Sequence, residues 1–124
     1  MEDSRREQIE ALEVLAEFNQ RLVKNIKIVI KELSGNRLDD TEAFLKSILD
    51  AVNWEIEVVN GTLAVLNEET ERVDKEAFNT GIVALGDAVA AKDDARMAAA
   101  FEVLLPIFEN LGNVAQEICE SANN

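Results

Sequence analysis

An apolar ladder with alternating steps of three and four residues runs through most of this chain. Such steps place every member on one side of a helix, so each helix needs a neighbour to cover that side. The pattern predicts an all-α protein. In the second predicted helix the ladder comprises Leu45, Ile48, Val52, Ile56, Val59, Leu63 and Leu66. In the last predicted helix it comprises Met97, Phe101, Leu104, Phe108, Leu111, Ala115 and Ile118.

The first two predicted helices form the N-terminal part of the chain. The first covers about residues 3–33 and ends before Gly35, a residue suited to the left-handed position after a helix end. The second covers about residues 41–68, with Asp40 or Thr41 as its N-cap. Because the connection is short, the two long helices should form an antiparallel hairpin. The inner face of the first helix is predicted to comprise Ile9, Leu12, Leu15, Phe18, Leu22, Ile26, Val29 and Leu33.

Two shorter helices should follow. Asp74 is the predicted cap of the third helix, which ends near Ala91, and an Asp of the next turn should cap the fourth, at about residues 95–121. Pro106 predicts a kink or break at 103–106. The sequence therefore predicts a four-helix antiparallel bundle with a long N-terminal hairpin, in one domain over 1–124. The third helix should use Phe78, Ile82, Leu85 and Val89.

Composition agrees with one globular domain: the 124 residues are 48% hydrophobic and 30% charged. We expect a cytoplasmic protein, because no apolar run reaches the length of a membrane span or forms the core of a signal peptide. Cys119 is the lone cysteine, which agrees with a reducing compartment. A small packing role suits this thiol better than reactivity, since the chain has no histidine to activate it.

The chain is strongly acidic, with a formal net charge of −13. Residues 1–62 carry 13 acids and 8 bases, and residues 63–124 carry 12 acids and 4 bases. Phosphate backbones and anionic membranes repel such a surface. We therefore expect neither nucleic-acid binding nor membrane insertion.

The chain lacks both histidine and tyrosine. Serine–histidine and cysteine–histidine pairs, ferritin-like di-metal sites and Cys/His zinc sites are therefore impossible. We expect a protein that is not an enzyme and uses no cofactor or metal. A carboxylate-based activity is the least favoured alternative, and its best candidate is Glu55, which sits between Val52 and Val59 beside the ladder.

Two patterns on the second helix each allow two interpretations. An asparagine recurs every seven residues along the second helix, at Asn53, Asn60 and Asn67. These residues could form an amide ladder between helices, but the favoured interpretation is a polar stripe in water. Trp54 and Gly61 are also seven apart. They could pack closely against small residues of the third helix, or Trp54 could be a ring at the edge of the core. The small residues are Gly81, Ala84, Ala88 and Ala91.

The first helix carries a charge stripe that changes sign midway. Acid first and base last suits the helix dipole, and Glu17 and Arg21 have the spacing of an ion pair. The alternative is an antiparallel partner helix that matches plus to minus, which would make a symmetric dimer. The stripe comprises Glu7, Glu10, Glu13 and Glu17, then Arg21, Lys24, Lys27 and Lys31.

The order of motifs over about residues 44–110 resembles a family of small all-helical bacterial proteins, a domain of unknown function. The resemblance begins with Trp54-Glu55-x-Glu57-Val58-x-Asn60 and continues with Asp74 to Leu85. It ends with Lys92-Asp93 and an apolar helix that reaches Leu105-Pro106. It implies a helical fold and no known activity.

These patterns favour a non-catalytic protein-interaction module, such as an adaptor or a small acidic chaperone-like protein that binds an amphipathic partner helix. We also expect a homodimer, because the short third helix should leave part of the hairpin ladder uncovered. The alternative is a bundle that binds a small molecule or lipid near Trp54, Phe101 and Phe108. The predicted interaction or pocket residues are Trp54, Gly61, Phe101 and Phe108.

Overall fold

The computed structural model describes residues 2–122, with side chains from residue 4 onward. It confirms the all-α prediction: the chain forms α1 (Glu2–Leu33), α2 (Thr41–Leu66), α3 (Lys75–Ala90) and α4 (Asp94–Ala122). Every predicted helix end lies within about two residues of the observed one, the precision usual for helix limits. No helix within residues 2–122 has the length and apolar character needed to cross a membrane.

The turns use the predicted residues. Gly35 has a φ of +105°, which permits the left-handed end of α1. Asp40 is the N-cap of α2 without a side-chain bond, whereas Thr41 Oγ1 accepts a 2.8 Å bond from the Leu38 amide and donates a 2.6 Å bond to Glu32. Thr41 thereby ties the start of α2 to the end of α1.

The caps of α3 and α4 are both aspartates. Asp74 accepts a 3.0 Å bond from the Ala77 amide, and Asp93 accepts a 3.1 Å bond from the Arg96 amide. Each cap satisfies a backbone donor that the first helical turn leaves free. Both predicted caps are confirmed.

α1 and α4 are the central helices of the bundle. α1 packs against α2 on one side and α4 on the other, and α3 packs against α4. α2 and α4 approach only marginally, and the described residues of α2 and α3 make no helix contact. The Cys119 thiol near the end of α4 lies 3.7 Å from the carbonyl oxygen of Ile9, so α1 and α4 are antiparallel.

The predicted contact between α3 and the Trp54–Gly61 side of α2 is wrong. A Cβ at Gly81 would come within 2.6 Å of Leu104 on α4, whereas one at Gly61 would meet nothing within 4 Å. The small residues of α3 face α4 because α1 and α4 together separate α3 from α2.

α4 is continuous from residue 94 to 122, so the break that was one of the two outcomes predicted at 103–106 does not occur, and the kink stays a prediction. Proline removes one backbone donor, and the carbonyl left without that donor belongs to Glu102. Both Pro106 and Glu102 are exposed, so water can satisfy this carbonyl. Because α4 packs along α1, most of the hairpin ladder is buried within one chain. An uncovered ladder is therefore not a reason for dimerisation.

Most predicted ladder residues are buried, but at several positions the adjacent residue is buried instead. Asn19, Glu55 and Thr62 are buried, whereas the neighbouring apolar rungs Phe18 and Ile56 lie at the edge of the core. On α3, Gly81 and Ala88 are buried and the predicted Ile82 and Val89 are half-buried. Three phenylalanines fill the centre, and the rings of Phe78 and Phe108 meet edge to face at 5.6 Å. The third is Phe101, which is also fully buried.

Candidate functional site

A polar pair lies where α1, α2 and α4 meet. The Nδ2 atom of Asn19 donates a 2.9 Å hydrogen bond to Oε1 of Glu55. Only 3% of Asn19 and none of Glu55 is exposed, and the Oε2 atom of Glu55 has no hydrogen-bond partner. α4 contributes Gly112, since a Cβ there would lie 2.1 Å from Oδ1 of Asn19. The glycine thus leaves the space that the asparagine side chain occupies.

Burial raises the pKa of Glu55 to about 7, although the hydrogen bond from Asn19 opposes this shift. Removing a carboxylate from water disfavours its charged form, and one hydrogen bond does not compensate. Glu55 can therefore gain or lose a proton near neutral pH. Across the described part of the chain, no three His, Cys, Asp or Glu side chains converge as a metal site would require.

A groove of about 460 Å³ separates the outer edges of α3 and α4. We refer to it as the α3–α4 groove. Asp74 and Glu76 stand at one end of it. Val103 is 59% exposed at its rim. The remaining lining residues are small or apolar: Ala77, Thr80, Gly81, Ala84, Ala100 and Ile107.

A second apolar surface joins α1 and α2. It comprises Val14, Phe18, Ala51 and Trp54, with Ser47 and Asp50 at its margin, and we call it the α1–α2 patch. The rings of Phe18 and Trp54 meet edge to face at 5.2 Å. Val14 is 55% exposed and Phe18 is 36% exposed, so the patch presents aliphatic and aromatic groups to solvent.

The four residues predicted from sequence lie in different places. Trp54 and Gly61 share a surface groove between α1 and α2, and Trp54 also lines the α1–α2 patch. Phe101 and Phe108 are fully buried in the core and line neither of these two grooves. Trp54 is half-buried against Phe18, as expected for a ring at the edge of the core.

The structure also shows the surroundings of the three heptad-spaced asparagines and of Cys119. Asn53 and Asn60 are exposed, which confirms the polar-stripe interpretation for these two. Asn67 instead holds the turn after α2 by accepting bonds from the amides of Arg72 and Val73. Cys119 is buried, and burial raises the pKa of its thiol.

Sequence reasoning singled out Glu55 but missed Asn19 and Gly112. Asn19 has ladder spacing, four residues after Leu15 and three before Leu22. The apolar Phe18 beside it offered the more obvious rung. Spacing alone could have identified Asn19, whereas the role of Gly112 depends on its neighbour across the helix interface.

The family model for DUF8042, a domain of unknown function, matches residues 10–114. The chain belongs to the DUF8042 family. The match includes Asn19, Glu55 and Gly112, and it also spans the α3–α4 groove and the α1–α2 patch. The search of curated proteins and the search of solved structures each found no match. The DUF8042 assignment thus agrees with the resemblance inferred from sequence and brings no activity with it.

Proposed function

We propose that this protein is a non-catalytic, cytoplasmic interaction module that binds an amphipathic helix of a partner protein in the α3–α4 groove. The observation that carries the proposal is the groove itself. It is an open apolar channel between two helices, with Val103 exposed at its rim and carboxylates at one end. Helix-in-groove recognition needs such a channel.

The spacing of the groove residues suits a third helix. On α3, Ala77, Gly81 and Ala84 follow steps of four and three residues. Their small side chains would let a partner helix approach closely. On α4, the groove residues are Ala100, Val103 and Ile107, with steps of three and four. Both walls thus have the periodicity that allows side chains of an added helix to interdigitate.

Charge defines the kind of partner helix. Residues 63–124, which include both walls, carry 12 acids and 4 bases. Asp74 and Glu76 place two of these acids at one end of the groove. A helix with an apolar stripe and lysine or arginine on its flanks would complement both the channel and its surroundings. An acidic helix of the same shape would be repelled.

The absence of histidine and tyrosine supports a non-catalytic role, because it removes acid–base catalysis by imidazole and phenol groups and the histidine-activated nucleophiles. Glu55, the favoured sequence candidate for such chemistry, is fully buried and does not line the α3–α4 groove. The lone thiol of Cys119 supports the cytoplasmic location.

A small-molecule or lipid ligand is the second candidate function, and the α1–α2 patch favours it. Trp54, Phe18 and Val14 present aromatic and aliphatic groups to solvent there, the kind of surface that an apolar ligand contacts. Titration with single-chain detergent below its micelle concentration would test this candidate. A saturable blue shift of Trp54 emission would support it, and unchanged emission would oppose it.

The main proposal can be tested with a synthetic helical peptide of about 18 residues, or five turns, with a leucine stripe and lysine flanks. Fluorescence anisotropy should show saturable binding to the wild type. Replacement Ala84→Gln should weaken it by about tenfold, because the longer polar side chain would occupy the groove. Replacement Val83→Gln is the matched control, since Val83 is an exposed neighbour on α3 that does not line the groove.

Two results would contradict the proposal. One is an anisotropy that does not change with peptide concentration. The other is equal loss of affinity in the Ala84→Gln and Val83→Gln variants, which would indicate non-specific attraction of a basic peptide to an acidic protein. A peptide with the same composition and a scrambled stripe should not bind saturably.

A further inference from the structure

The outer face of α1 carries eight exposed charges in two blocks of opposite sign. Glu7, Glu10, Glu13 and Glu17 form the acidic block, and Arg21, Lys24, Lys27 and Lys31 form the basic block. None takes part in an ion pair within residues 4–122, where all ion pairs use other side chains. The predicted pair between Glu17 and Arg21 is therefore not formed.

The helix dipole does not account for the whole stripe. Its effect is confined to the first and last turns of a helix, and α1 has 32 residues. Glu13, Glu17, Arg21 and Lys24 lie several turns from either end. The helix dipole therefore gives no reason for these acids to precede these bases along α1.

We propose that a second copy of this chain packs antiparallel on the outer face of α1, with a two-fold axis near residue 19. In that register the first acid of one copy faces the last base of the other, and the same holds along the stripe. A two-fold interface requires this kind of self-complementarity. The four facing pairs are Glu7 with Lys31, Glu10 with Lys27, Glu13 with Lys24, and Glu17 with Arg21.

An apolar surface borders the charge stripe at the level of this axis. Phe18 is one residue from the proposed axis and 36% exposed, and Val14, one turn away, is 55% exposed. Adjacent helical residues point about 100° apart, so Phe18 lies beside the stripe, where Trp54 of α2 packs against it. A second copy on the stripe would cover part of this apolar edge, and large aromatic residues contribute strongly to the binding energy of interfaces.

Charge balance also favours a second copy on this face. The stripe has four acids and four bases, whereas the whole chain has a net charge of −13. Most other faces of two approaching copies would repel one another. The outer face of α1 is locally neutral and can pair without that penalty.

Charge reversal tests the register. Sedimentation velocity at about 0.15 M salt, where the screening length is about 8 Å, should show a concentration-dependent dimer for the wild type. Both the Glu13→Lys/Glu17→Lys variant and the Arg21→Glu/Lys24→Glu variant should be at least tenfold weaker, since like charges would face one another. An equimolar mixture of the two variants should form a heterodimer, because each reversed block then faces its opposite.

A cross-linking experiment locates the axis. In a Cys119→Ser background, a short bifunctional thiol cross-linker should join two copies of the Phe18→Cys variant, because residue 18 lies at the level of the axis, one helix spacing from its copy. Glu10→Cys is the matched control. Its two copies would be about 27 Å apart along the helix at 1.5 Å per residue, beyond the reach of such a cross-linker.

A wild type that stays monomeric at all concentrations would overturn the proposal. A dimer that survives both charge reversals would also overturn it, since association would then use another face. Circular dichroism of the two charge-reversal variants should match the wild type, because all four substituted residues are exposed. The dimer is independent of the α3–α4 groove, so Ala84→Gln should leave it unchanged.

Discussion

Asn19 and Glu55 pair in the core of the bundle, where the Nδ2 atom of Asn19 donates a 2.9 Å hydrogen bond to Oε1 of Glu55. Each occupies a rung that an apolar side chain could have filled. The pair satisfies one carboxyl oxygen and leaves Oε2 without a partner. A buried, partly satisfied acid costs stability.

The first prediction concerns the pH dependence of stability. Because burial raises the pKa of Glu55 to about 7, its protonated form is favoured in the folded state. The contribution of protonated Glu55 to the free energy of unfolding is fully present below the unfolded pKa of about 4.5. This contribution is lost as pH rises through the folded pKa of about 7. The replacement Glu55→Gln should remove this loss. Relative to wild type, the variant should gain up to about 3 kcal/mol between pH 4.5 and 8.

Urea denaturation at several pH values would measure this difference. Glu57→Gln is the control, because Glu57 is an exposed acid on the same helix. Its stability relative to wild type should not vary over this pH range. A Glu55→Gln variant whose relative stability is also independent of pH would show that Glu55 has an ordinary pKa.

The second prediction concerns the space beside Asn19. The replacement Gly112→Ala should destabilise the protein by about 1–3 kcal/mol, since the new methyl group would displace Asn19 from Glu55. In an Asn19→Ala background the same change should be neutral or stabilising. Gly61→Ala is the control and should gain about 1 kcal/mol, because it lies in a helix with open space around it. Denaturant unfolding of the double-mutant cycle measures the coupling.

The third prediction compares two asparagines one heptad apart. Asn67 accepts bonds of 3.0 and 2.9 Å from the amides of Arg72 and Val73, and donates a 3.0 Å bond to the Val73 carbonyl. Asn67→Ala should therefore cost about 1–3 kcal/mol. Asn60→Ala, at an exposed helical position, should change stability by about 0.5 kcal/mol or less. Equal effects in thermal denaturation would contradict a special role for Asn67.

The fourth prediction concerns the connection between the α1–α2 turn and the start of α4. The guanidinium of Arg37 donates bonds of 2.6 and 2.9 Å to Asp94 and holds the pKa of that carboxyl below its usual range. Asp94 should thus stabilise the fold above its ordinary pKa and lose this effect as pH falls through the lowered value. In an Arg37→Gln variant the pKa of Asp94 should rise, as measured by carbon NMR titration. Arg21→Gln, which removes an exposed base outside this ion pair, should leave the pKa of Asp94 unchanged.

The helices and their ends could be predicted because the signals that define them are local. Apolar periodicity marked all four, and Gly35, Asp74 and Asp93 marked turns through their own backbone or capping bonds. Pro106 does not break α4, because the effect of a proline depends on whether water reaches the carbonyl left without a donor. That exposure is a property of the packed bundle.

The sequence by itself determined an all-α bundle, its four helices and its acidic surface, since each depends on residue type and spacing along the chain. Tertiary structure decided which helices meet and how each is rotated about its axis. Adjacent residues on a helix point about 100° apart, and a helix between two neighbours buries a wide sector. Spacing allows both Asn19 and Phe18, and both Glu55 and Ile56, and packing decides between them. Gly112 leaves space for Asn19, and Asn19 donates the hydrogen bond that Glu55 accepts.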